Sequence, residues 1–75
     1  MAEYEVVREI QNLCRNNQMR DVFFIEVETR DPETYVRSIL GEDIVSMSRE
    51  ERSDGSVTLY VSTTGLTQKF VFTPI

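Results

Sequence analysis

The sequence predicts an α+β domain of order α-β-α-β-β-β: a four-stranded mixed sheet with a C-terminal antiparallel meander and two helices packed on one face. Three observations predict it. Residues 3–18 repeat apolar side chains at helical spacing, DPETYVRSILG is bounded like a complete short helix, and the second half of the chain alternates apolar with polar residues. With 75 residues, the chain has room for one domain, residues 1–75.

The first element rests on Val6, Val7, Ile10, Leu13 and Cys14, which share one face at 3.6 residues per turn. Asn16, Asn17 and Gln18 weaken helix propensity and mark its stop. Residues 21–29, DVFFIEVET, are β-branched and aromatic, so a strand follows. Alternation puts Phe23, Ile25 and Val27 inward and Val22, Phe24, Glu26 and Glu28 outward. In the second helix Asp31 suits the N-cap, Pro32 the first turn and Gly41 the C-terminal cap. Its apolar stripe is Tyr35, Val36, Ile39 and Leu40.

Three strands complete the order. Residues 43–50 alternate with Val45 and Met47 inward and Ile44, Ser46 and Ser48 outward. After the turn residues Ser53-Asp54-Gly55, residues 56–63 send Val57, Leu59 and Val61 inward and Tyr60 outward. Thr64-Gly65 turns the chain again, and residues 67–73 send Phe70 and Phe72 inward against Lys69 and Val71 outward. A right-handed crossover sets the first strand parallel to its neighbour.

Composition narrows the function classes. The formal net charge is −5 and the basic residues stand singly along the chain, which argues against a nucleic-acid partner. Histidine is absent, so the commonest general base and metal ligand near neutral pH is missing. Cys14 is the single cysteine; on an apolar helix face it reads as a small buried hydrophobe. The glycines fit turns and caps rather than a phosphate loop. No apolar run is long enough to span a membrane and no secretory leader opens the chain, so the expected compartment is the cytoplasm.

The stretch FFIEVETRDPE concentrates Glu26, Glu28, Asp31 and Glu33. Glu26 and Glu28 share a strand face about 6.6 Å apart at ~3.3 Å per residue, a separation compatible with acid/base pairs. An open sheet face supplies no desolvated cleft to drive their pKa values apart. Asp31 and Glu33 are accounted for as cap and first-turn charges. No catalytic residue, cofactor or metal is therefore expected.

What remains is the outward sheet face, where Phe24, Tyr60, Val71, Ile44 and Lys69 gather as candidate partner-binding residues. Either this face is a partner surface or the first helix covers it. The expected function is a small non-enzymatic interaction module that binds a protein partner, or itself as a homodimer, through the open face or an edge strand. The alternative is a small-molecule or metal-binding regulatory domain using the acidic residues near Glu28 and Asp31.

Overall fold

The computed structural model describes residues 2–12 and 20–75. Its elements are β1 (Ala2–Asn12), β2 (Arg20–Thr29), α1 (Pro32–Leu40), a 3-10 turn (Gly41–Asp43), β3 (Ile44–Glu51), β4 (Val57–Thr63) and β5 (Leu66–Pro74). The strands form one five-stranded sheet of order β2-β1-β5-β4-β3, antiparallel at every pairing. This overturns the expected fold class: the sheet is neither four-stranded nor mixed, and residues 2–12 are a strand where a helix was expected.

Two patterns compete in that first segment. Tyr4, Val6, Arg8 and Ile10 alternate with Glu3, Glu5, Val7, Glu9 and Gln11, a strand pattern broken only by Arg8 inside and Val7 outside. The helical spacing depended on counting Val7 with Val6, and on Leu13 and Cys14, which lie outside the described residues, as does the expected stop at residues 16–18. Long-range pairing decides the outcome, because β1 is held on both sides, by β2 and by β5.

Arg8 belongs to the core face and finds polar and aromatic partners there. Its Nε and Nη2 donate to Gln68 Oε1 at 3.1 and 2.8 Å, and its guanidinium lies 5.2 Å from the centre of the Phe70 ring. Gln68 Nε2 donates in turn to Thr63 Oγ1 at 3.4 Å. Gln68 is buried, so this chain of bonds is what makes a polar residue tolerable at the end of the core.

The core lies between one sheet face and α1. Val6, Leu59, Val61, Phe70, Phe72 and Val36 have no exposed surface. Phe72 sits beside Val6 on β1 and Val57 on β4, and meets the rings of Tyr4 (5.7 Å) and Tyr35 (6.0 Å) edge-on. The helix starts as expected, with Asp31 at the N-cap and Pro32 at N1, and Gly41 (φ 54°) donates its N–H to the Arg37 carbonyl. The Asp31 side chain makes no capping bond. Its carboxylate receives Arg49 Nη1 at 2.9 Å, tying the helix start to β3.

Several expected core residues sit elsewhere. Val7 is half-buried on the far sheet face, because a strand sends it opposite to Val6. Phe23 is on the core face by register, opposite Arg8, yet remains 47% exposed because it lies at the edge. Ile39 is exposed on α1. Val45 and Ile44 exchange roles: the register shifts between Ile44 and Ser46, leaving Val45 71% exposed and Ile44 packed on the core. An irregularity of this kind reverses which side chains face inward beyond it.

The β3–β4 connection is closed by side-chain bonds. Asp54 Oδ1 accepts the Ser56 N–H at 2.9 Å and the Ser56 hydroxyl at 2.6 Å, and Gly55 takes φ 89°. The Ser56 hydroxyl, then the Ser56 N–H, hold the Asp54 carboxyl below its ordinary pKa. A depressed folded-state pKa means the turn gains stability above the unfolded value near 3.9 and loses it as pH falls through the folded value. The Ser56 amide resonance is expected to titrate with a midpoint below that ordinary value, and Asp54→Asn to abolish the inflection.

The Arg8–Gln68 pair makes a second expectation. Arg8→Met leaves the Gln68 carbonyl oxygen without its donors and costs about 1–3 kcal/mol, whereas Arg8→Met with Gln68→Leu recovers most of that loss. Urea denaturation of the two single variants and the double variant measures the coupling.

Candidate functional site

The face of the sheet opposite α1 is the candidate site. Antiparallel register assembles it in rows, since residues directly opposite share a face. One row runs Phe24, Val7, Val71 and Thr58 across β2, β1, β5 and β4. The next runs Val22, Glu9, Lys69 and Tyr60. Lys69 Nζ lies 5.9 Å from the centre of the Tyr60 ring, so the cation and the aromatic ring form one small platform. Glu9, Gln11, Tyr60, Thr67 and Lys69 line a shallow groove beside it.

Of the sequence-predicted site residues, Phe24, Val71, Lys69 and Tyr60 therefore share this face. Ile44 does not, because the irregularity at the start of β3 turns it to the core. Phe24 is 73% exposed and Tyr60 is exposed, while Val71 and Lys69 are half-buried between strands. No described residue of a first helix covers them, since that segment is β1.

The acidic residues fall into two unrelated groups. On the open face Glu3 stands opposite Glu28 and Glu5 opposite Glu26, a ladder of carboxylates down the β1–β2 ribbon. On the helix side Asp31 is engaged by Arg49, which also reaches Glu51 Oε1 at 2.7 Å. The hydrogen bond to Asp31 raises the Arg49 pKa above its usual value, against a smaller opposing effect of desolvation. Glu28 and Asp31 thus point to different sides of the sheet. Among the described residues no cluster of three or more His, Cys, Asp or Glu is arranged to hold a metal ion.

The sequence reasoning missed, as surface residues of this face, Val7 and the β1 glutamates Glu3, Glu5 and Glu9. Their signal was present in the alternation Glu3, Glu5, Val7, Glu9, Gln11, which becomes a surface only when residues 2–12 are read as a strand. Val7 is the piece that joins Phe24 to Val71. Without it those two are isolated apolar residues; with it they are one strip.

The β2 edge adjoins this face. β2 pairs with β1 in continuous register from Thr29 to Arg20, and among the described residues no strand pairs with its other side. Val22, Phe23 and Phe24 are consecutive and all exposed. Comparison with protein-family models, with curated proteins and with solved structures finds no match in any of the three. Among the described residues no helix is long and apolar enough to cross a membrane.

Like charges directly opposite on neighbouring strands destabilise a sheet, so the ladder carries a cost. Replacing Glu26 by Lys converts its pairing with Glu5 from repulsive to attractive. A gain of about 0.2–1 kcal/mol is expected on that basis, read from the urea midpoint at low ionic strength and reduced at high salt.

Proposed function

We propose that this chain is a small non-enzymatic cytoplasmic interaction module that binds a protein partner, or itself, through the β2 edge and the adjoining open face. The observation that carries the proposal is Phe24, 73% exposed on a strand that, among the described residues, is paired on one side only, beside exposed Val22 and Phe23. Three consecutive apolar residues on an edge strand form a template for another chain, both through their side chains and through the free backbone groups of that edge. Burying such a group on association releases about 25 cal/mol for each Å² of apolar surface removed from water.

Composition supports the same reading. Phe24 and Tyr60 supply aromatic area, Val7 and Val71 fill the space between strands, and Lys69 gives one oriented charge. Interfaces favour this mixture of an apolar centre with a polar surround. The chain contains no histidine, and its open-face carboxylates lie along a flat ladder. Both features favour binding over acid/base chemistry.

A photoreactive benzophenone side chain placed at position 24 tests the proposal. In the cells that make this protein, irradiation is expected to give discrete covalent adducts from position 24 and none from position 54, an exposed site on the far turn. Equal labelling from both positions, or none from position 24, overturns it.

A further inference from the structure

From this interaction reading we infer the chemistry of the partner: a cationic amphipathic helix of another protein, laid along β1 and β2 on the open face. Its apolar side meets Phe24 and Val7, and its basic residues meet the four glutamates beyond them. The inference rests on the module reading above and adds what the partner must carry.

The acidic ladder is not neutralised within the chain. Glu3, Glu5, Glu26 and Glu28 are all exposed, and among the described residues none of the four makes an ion pair. Asp31 and Glu51, on the other side of the sheet, are both engaged by Arg49. Register sets Glu5 opposite Glu26 and Glu3 opposite Glu28, so like charges face each other in two successive rows. A cation shared by such a pair relieves a repulsion that the free chain carries.

The ladder is continuous with the apolar strip. Phe24 and Val7 form the row next to Glu26 and Glu5, and Val71 extends it across β5. Phe24, Glu5 and Glu26 line one shallow depression, and Glu3, Glu26 and Glu28 line the next. Rows on one face recur every two residues, ~6.6 Å apart, so the far pair of carboxylates stands about 13 Å from the row of Phe24. The surface is complementary to an apolar group followed by positive charge at one and two steps of that length.

Backbone chemistry selects a helix. β1 is paired on both sides, by β2 and by β5, so a segment lying on the face above it finds no free strand groups there. Such a segment must satisfy its own backbone, as a helix does internally. At ~1.5 Å per residue, positions i, i+4 and i+8 on one side of a helix advance about 6 Å at each step. That step matches the rows: an apolar residue over Phe24 brings basic residues over the two glutamate pairs. A lysine or arginine there lays its stem on apolar surface and carries its charge to the carboxylates.

Charge also decides against other occupants of this face. A nucleic-acid backbone or an anionic lipid surface meets repulsion from the same four carboxylates. A second copy has little to offer them, since Lys69 is the one cation among the described strand side chains of the open face and already lies by the Tyr60 ring.

Fluorescence anisotropy at about 0.15 M salt tests this, with a synthetic amphipathic helix of leucine and lysine as probe and its leucine–glutamate counterpart as control. The lysine peptide is expected to bind the wild type and the glutamate peptide to leave it free. Glu26→Lys, expected above to stabilise the fold, is expected to raise the dissociation constant by about tenfold or more, so that lost binding is not lost structure. Phe24→Ser is expected to weaken binding comparably while sparing the fold, because the ring it removes is already 73% exposed. Glu42→Lys makes the same charge change in the 3-10 turn after α1 and is expected to alter the constant by less than about twofold. A lysine peptide that does not bind, equal weakening by Glu26→Lys and Glu42→Lys, or binding that Phe24→Ser leaves unchanged overturns the inference. Adducts from position 24 whose captured segment lacks Lys and Arg, or is this chain itself, reject the cationic helix while keeping the interaction reading; no adducts from position 24 reject both.

Discussion

A helix of nine residues has to cover one face of a five-stranded sheet, and most of the architecture follows from that mismatch. At ~1.5 Å per residue the helix is about 13 Å long, whereas five strands at ~4.8 Å spacing are about 24 Å wide and the longest strands longer still. The helix can shield only part of the sheet. Where it does, Phe72 gathers Tyr4, Tyr35, Val6 and Val57 into a dry centre. Where it does not, the same face is finished with side chains that carry their own polar ends. Arg8 lays its guanidinium over Phe70 and satisfies Gln68, so the stem covers apolar surface while the head meets its acceptor. Phe23, further out on the edge, receives no such cover.

The two edges follow from the same topology. β2 and β3 are the outer strands, and α1 lies in the connection between them. It is anchored at its start to the far edge by Asp31 and Arg49. Arg49 and Glu51 thus put charge on the core side of β3, whereas β2 carries Asp21 there, near its start.

Much of this was legible in the residues. The second half of the chain read correctly as three antiparallel strands because β4 alternates, β5 sets Phe70 and Phe72 against Lys69, and their turns hold Asp54-Gly55 and Thr64-Gly65. The helix α1 was legible from Pro32 and Gly41. Two things were not. Arg8 at an inward position broke the alternation of β1, and its stabilisation by Gln68, sixty residues away, is invisible without the fold. The irregularity at Val45 likewise has no local signature, yet it exchanges Ile44 for Val45 at the surface and removes Ile44 from the candidate face. Losing β1 as a strand also cost the sheet its antiparallel character, since a crossover then became the economical connection. Of the candidate site, the residues on β2, β4 and β5 were readable by alternation, and the contribution of β1 was not.

The adjacency of β1 and β5 has a consequence for how the chain is made. Val6 lies beside Phe72 in the finished sheet, although they are separated by most of the sequence. Within the described sheet the ribbons β1–β2 and β3–β4 are bridged by β5, which pairs with both β1 and β4. Before β5 docks, the facing margins of β1 and β4 lack their partner. Loop closure over so many residues is slow relative to local pairing. A chain in which β5 has not yet docked is open to mispairing, and β5 acts as the fastener that turns two ribbons into one sheet.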